Sequence, residues 1–123
     1  MKVLVSDKMD EAGIDIFRNN DQIEVDVNTG LSPEELLAII GNYDALAVRS
    51  STKVTKELLE AAVNLKVIAR AGIGLDNVDI DEATKRGVAV MNTPGGNTVT
   101  TAEHAIAMMM ALTRNIPRGS ASL

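Results

Sequence analysis

The chain has 123 residues, 46% of them apolar, no Trp or Cys, one Phe (Phe17), one Tyr (Tyr43) and a formal charge of −5. That length fits one domain with an aliphatic core, while the acidity and the scarcity of aromatics for base stacking argue against a nucleic-acid surface. The missing cysteines exclude a disulfide framework and a thiolate nucleophile.

Val3–Val5 reads as a first strand ending at Ser6-Asp7, and Met9–Arg18 as a helix with Ala12, Ile14 and Phe17 on one side. Ile23–Val27 alternates strictly between apolar and acidic residues, the period of a half-exposed edge strand. Ser32-Pro33-Glu34-Glu35 predicts a helix start with a capping box and Pro in the first turn. Leu36, Leu37, Ile39 and Ile40 form its apolar face, and Gly41 is the expected stop. Ala45–Val48 is a continuous apolar run, the mark of a strand buried on both faces. Thr55 caps a helix over Lys56–Val63, and Val67–Ala69 is the next strand. A helix from Asp79, with Glu82 in capping-box position, closes at Gly87, and Val88–Met91 is a fifth strand.

Strands alternating with helices imply a parallel α/β sheet with helices on both faces, in the flavodoxin-like order 2-1-3-4-5. Thr100-Thr101-Ala102-Glu103 opens a last helix through Thr113. Its Ala102–Leu112 stretch is apolar almost all round, so it is either a buried terminal helix or one packed on another domain or subunit. Residues 117–123 read as a linker-like tail, and the preferred expectation is a piece of a longer protein. No apolar run approaches a membrane span, and Met1–Asp7 is too short and soon too acidic for a signal peptide; the expected location is cytoplasmic.

Three segments fall on the carboxyl rim of this sheet, where open α/β sheets bind ligands. Arg49-Ser50-Ser51 offers a guanidinium and hydroxyls to an anion; the plain alternative is an Arg that caps its own loop. Gly72-Ile73-Gly74-Leu75-Asp76-Asn77 lacks the third small residue and the following acid of a dinucleotide fingerprint. It suits a turn whose N–H groups hold a carboxylate or phosphate, or a purely structural turn. Asn92–Asn97 holds Pro94, two glycines and Asn97, which could hydrogen-bond a substrate oxygen; alone it would pass for an ordinary turn. A phospho-acceptor receiver shares the layout but needs Asp where Arg49 stands. His104, the only histidine, lies inside the last helix without an acid at triad or metal spacing. It reads as structural, and nothing suggests a metal site.

Val48-Arg49-Ser50, Arg70–Asp79, and Val90–Asn97 running into Ala102-Glu103 together resemble the N-terminal part of the NAD-dependent D-2-hydroxyacid dehydrogenase family. The branch that they resemble acts on 3-phosphoglycerate. The resemblance covers essentially the whole chain. It implies that residues 1–97 form a substrate-binding domain that a returning C-terminal segment completes. Residues 98–123 would then be a linker helix leading to a Rossmann domain.

The implied reaction is oxidation of 3-phosphoglycerate to 3-phosphohydroxypyruvate with NAD, in L-serine biosynthesis. Arg49 and Ser50 would meet the substrate's anionic groups. Ala71, Gly72 and Ile73 would give backbone N–H groups to its carboxylate, with Ile73 also beside the cofactor. Asn97 would touch substrate at the hinge, and the helix 98–113 would join a homo-oligomer. The catalytic Arg, Glu and His of the family lie past Leu123, so this stretch alone should be inert.

Two departures bear on substrate identity. Ser51 stands where some members carry a second Arg, and Ile73 where some carry Thr. Another 2-hydroxyacid dehydrogenase, such as a glyoxylate or hydroxypyruvate reductase, is the nearest alternative. A non-catalytic flavodoxin-like binding module is the other.

Overall fold

The computed structural model describes residues 1–121. Five parallel strands form one sheet: β1 (Lys2–Val5), β2 (Glu24–Val27), β3 (Ala45–Val48), β4 (Val67–Arg70) and β5 (Ala89–Met91). Their order is β2-β1-β3-β4-β5, as the strand–helix alternation predicts. β3, flanked on both sides, is buried at every residue, and β2 is the half-exposed edge. The helices are α1 (Glu11–Arg18), α2 (Pro33–Ile39), α3 (Lys56–Ala61), α4 (Ile80–Lys85), α5 (Thr98–Thr113) and α6 (Ile116–Ala121).

The register lines up Leu4, Leu46, Ile68 and Val90 on one sheet face. There they pack with Leu36 and Ile40 from the α2 segment, Leu58, Leu59 and Ala62 from the α3 segment, and Ala83 of α4. On the opposite face Val3, Val5, Ala45 and Ala47 are buried, as is Ile14 of α1. That burial stops after β3. Val67 and Ala69 are only half-buried, and Ala89 and Met91 are exposed. Cover on the second face therefore extends over part of the sheet only.

Local sequence explains most element ends. The Ser32 hydroxyl accepts from Glu35 N–H while the Glu35 carboxylate accepts from Ser32 N–H, a reciprocal capping box. Ser32→Ala should cost about 1 kcal/mol of folding free energy. Urea unfolding checks this, and an unchanged midpoint would contradict it.

At α4 the box is only half made. Asp79 accepts from Glu82 N–H, but the Glu82 carboxylate turns away to Arg86, 2.8 Å from its Nε. Gly41 does not stop α2 by a left-handed residue. The chain instead tightens into a 3-10 turn over Ile40–Asn42. A Cβ on Gly41 would stand 3.1 Å from the Ala61 carbonyl, so close approach to α3 is the reason for glycine there. Gly87, at φ +72, is the left-handed residue that the stop after α4 requires.

The end of the chain departs further from expectation. α5 begins at Thr98 with Asn97 as its cap residue, two positions ahead of Thr100, whose hydroxyl donates to the Asn97 carbonyl. No residue of α5 is buried, so it is not a buried terminal helix. Asn115, at φ 54, ends it in the left-handed region, which Asn tolerates. Pro117 then opens α6 instead of terminating structure, because a first-turn residue needs no N–H donor. Residues 117–121 are thus helical where a tail is expected. Residues 122–123 of that expected tail lie outside the described residues.

Candidate anion-binding rim

A carboxylate that the sequence reading left out organises the rim. β1 runs out at Ser6-Asp7, both buried. Asp7 Oδ2 accepts from the backbone N–H of Arg49 at 2.6 Å and of Ser51 at 3.2 Å. Both its oxygens lie 3.1 Å from Thr52 N, and Oδ1 also accepts from Thr52 Oγ1 at 2.8 Å. The loop after β3 is therefore wrapped around one buried charge. Burial pushes the Asp7 carboxyl up, but the hydrogen bonds from Thr52, Arg49 and Ser51 outweigh it and hold the group below the ordinary value.

A second polar side chain closes the loop from the other side. Asn77 Nδ2 donates to the Arg49 carbonyl at 2.8 Å and to the Thr52 carbonyl at 2.7 Å. Asn77 occupies the position where a dinucleotide fingerprint needs a small residue. Its amide spans two carbonyls, a task that no glycine could perform. Backbone bonds from Val54 N–H to Asn77 and from Asp79 N–H to Val54 tie the same two loops together.

With its backbone fixed, Arg49 extends an exposed guanidinium, held by one bond from Nη1 to the Lys8 carbonyl at 3.2 Å. Ser50 next to it is also exposed. Arg70, the last residue of β4, is mostly buried. Its Nε donates to the Arg49 carbonyl at 3.3 Å, and its Nη2 lies 3.6 Å from Asp76 Oδ1. A Cβ on Gly72 would come within 2.7 Å of Arg70 Nη1, so glycine there leaves room for that guanidinium.

The Gly72 turn corrects one expectation. Ala71 N–H donates to the Val48 carbonyl at 2.9 Å, which extends the β3–β4 pairing by one residue. Gly72 N–H closes a tight turn onto the Arg70 carbonyl at 2.9 Å. Ala71 and Gly72 therefore spend their donors inside the chain. Ile73 N–H makes no hydrogen bond among the described residues, and the Ile73 side chain is 40% exposed beside it.

The third loop is pinned to the second. Thr93 N–H donates to the Gly72 carbonyl at 3.0 Å, and Asn92 Nδ2 to the Ile73 carbonyl at 2.8 Å. The structure thus brings Arg49, Ser50, Ala71, Gly72 and Ile73 onto one rim. Asn97 lies farther along, exposed at the head of α5, and its side chain makes no capping bond. His104 sits exposed within α5. Among the described residues no group of His, Asp and Glu could hold a metal ion, and no helix is long and apolar enough to cross a membrane.

Asp7, Asn77, Asn92 and Arg70 were not identified from the sequence as site residues. Only Asp7 left a signal, as an acid directly after a buried strand.

The doubly wound sheet agrees with the family to which the chain belongs. That family is described as the D-isomer specific 2-hydroxyacid dehydrogenase, catalytic domain, and its pattern matches residues 3–118 of the chain. Among its relatives, the D-3-phosphoglycerate dehydrogenase of Archaeoglobus fulgidus is 54% identical over 123 residues, 100% of this chain and 23% of that protein. The hydroxypyruvate reductase of Thermotoga maritima is 44% identical over 122 residues, 99% of this chain and 40% of that one. Among solved structures, the NAD+-bound 3-phosphoglycerate dehydrogenase of Entamoeba histolytica superposes with a TM-score of 0.76 at 32% identity. That match covers 90% of this chain and 38% of the other.

Proposed function

We propose that this chain is the substrate-binding part of an NAD-dependent D-3-phosphoglycerate dehydrogenase. It would serve the oxidation of the substrate's 2-hydroxyl to the 2-oxo acid, in L-serine synthesis in the cytoplasm. One observation carries the reading: a loop locked by Asp7 and Asn77 displays Arg49 on the same sheet rim as the turn that holds the uncommitted N–H of Ile73. Two donors of different strength on one rigid rim suit a small acid with two anionic groups. The guanidinium takes one group bidentately, and the backbone N–H orients the other. Ser50 adds a neutral donor, and Asn97 contributes where α5 leaves the domain.

Among the described residues the rim offers no histidine as a general base, and its carboxylates Asp7 and Asp76 face the loop N–H groups and Arg70. Removing the hydroxyl proton while hydride leaves C2 needs such a base within hydrogen-bond reach, and the only histidine, His104, lies exposed within α5. The base, the dinucleotide fold and its ribose acid would come from the rest of the protein. NAD, when bound, supplies the hydride acceptor. Of this chain's residues, the exposed Ile73 side chain fits the apolar edge of such a ring, whereas Asn77 fills the place that a pyrophosphate-binding glycine would need.

Residues 1–97 would form the substrate domain, and 98–123 the linker helix and the start of the connection. The uncovered second face at Val67, Ala69, Ala89 and Met91 suits a segment that returns after the nucleotide domain. α5 exposes Val99, Ile106, Met108, Met109, Met110 and Leu112, too large an apolar surface for a helix left in water. It would pair with another subunit. Leu112→Asp, at an 81% exposed position, should shift the whole protein toward smaller species in sedimentation velocity. An unchanged profile would contradict a subunit contact there.

A second reading, a hydroxypyruvate or glyoxylate reductase, is favoured by Ser51, which puts no second guanidinium in the loop that carries Arg49. Assay of the whole protein separates the two. NADH formation from 3-phosphoglycerate and NAD, with residues 1–123 alone inactive, supports the first reading. NADH consumption with hydroxypyruvate but no turnover of 3-phosphoglycerate supports the second.

A further inference from the structure

A cleft of ≈510 Å³ opens at the carboxyl ends of β1 and β3, beneath α2 and the start of α3. β1 lies between β2 and β3, so the chain crosses in opposite directions on either side of it. In a doubly wound sheet that switch point is where a crevice forms. The cleft has two kinds of wall. Leu31, Leu36, Leu37 and Leu58 make an apolar floor, and Lys8 and Lys53 stand among its polar lining.

Those two lysines are unlike the others. Of the six in the chain, Lys2, Lys56, Lys66 and Lys85 each lie within ion-pair distance of a carboxylate. Lys8 and Lys53 have no such partner among the described residues, although the chain carries a net charge of −5. Asp7 also borders the cleft, but its oxygens are occupied by the N–H groups of Arg49, Ser51 and Thr52 and by the Thr52 hydroxyl. It stays charged but makes no ion pair with either ammonium group among the described residues. None of Arg49, Ala71, Gly72, Ile73 or Asn97 lines this space.

We propose that the cleft binds a small organic anion with an apolar body, its charged head held by Lys8 and Lys53 and its body against the leucines. The volume falls in the range of small-molecule sites, which combine apolar walls with a few placed polar groups. A purely electrostatic patch would need no leucine floor, and a simple packing defect would need no unpaired lysines.

Isothermal titration of the whole protein with octanoate, and with octan-1-ol as its neutral counterpart, tests this. Octanoate should bind at a single saturable site, more tightly than octan-1-ol, and 3-phosphoglycerate should not compete. Lys8→Ala with Lys53→Ala should weaken octanoate on the order of tenfold, the worth of a charge-assisted contact, and leave octan-1-ol unchanged. Leu37→Asp, on the partly exposed floor, should abolish both; it serves as a second variant that leaves the lysines in place. The proposal is overturned by any of three results: no saturable octanoate binding, equal affinity for octan-1-ol, or displacement by 3-phosphoglycerate.

Discussion

Asp7→Asn should destabilise the protein by about 3 kcal/mol, because a charged acceptor serving several donors is replaced by a group half of which is itself a donor. With the NH2 in the place of Oδ2 it faces the N–H groups of Arg49 and Ser51, which have no other partner in the loop; turned the other way it keeps those bonds but sets the NH2 against Thr52 N–H, and both orientations lose the charge. The consequence reaches the rim, since Arg49 N–H is the shortest of these bonds at 2.6 Å. A loosened loop lets the guanidinium wander, so the KM for 3-phosphoglycerate should rise even where the variant remains folded.

The pH dependence has a defined sign. The folded-state pKa of Asp7 lies below the ordinary value, so the bonds around its carboxylate contribute fully above the unfolded carboxyl pKa of about 3.9. That contribution is lost as pH falls through the lower folded value. Wild type and Asp7→Asn should therefore differ most in urea stability near neutrality and converge in acid. An equal difference at both ends would show that the charge on Asp7 is immaterial.

Arg49→Ala should lower kcat/KM for 3-phosphoglycerate on the order of 10- to 100-fold, the effect of removing one charge-assisted, partly desolvated contact. Stability should barely change, because the exposed side chain makes only one internal bond, to the Lys8 carbonyl. Arg49→Lys keeps the charge but loses the planar fork, so it should recover only part of the loss. If KM is unchanged in Arg49→Ala, the guanidinium does not hold an anionic group of the substrate.

The sheet was legible because burial leaves a plain record. Ala45–Val48 is apolar throughout because β3 is covered on both faces, and the strand with an acid at every second place is β2, an edge strand with no buried residue. Turn and cap residues fixed most helix starts for the same local reasons. The rim was only half legible. Arg49 and the Gly72 turn stand out by type and position, but what locks them is nonlocal. Asp7 meets its donors 42 to 45 residues along the chain, and Asn77 reaches back 25 and 28.

No periodicity encodes such pairs. Nor does sequence say which N–H groups a turn keeps for itself, and Ala71 spends its own on Val48. Asn77 shows the opposite failure. It looks like a defect in a nucleotide motif until its amide is seen bridging two carbonyls. At the end of the chain, residues 117–121 read as a tail because the place of Pro117 in a first turn depends on Asn115 turning left-handed just before it.

The central claim, that this rim selects a substrate with a second anionic group, is tested most directly by comparing 3-phosphoglycerate with D-glycerate. The whole protein is assayed with NAD and kcat/KM is measured for each. The phosphorylated acid should be preferred on the order of 10-fold or more, the share of a charge-assisted contact that the shorter acid cannot make. Equal kcat/KM for the two acids, or a preference for D-glycerate, would contradict it.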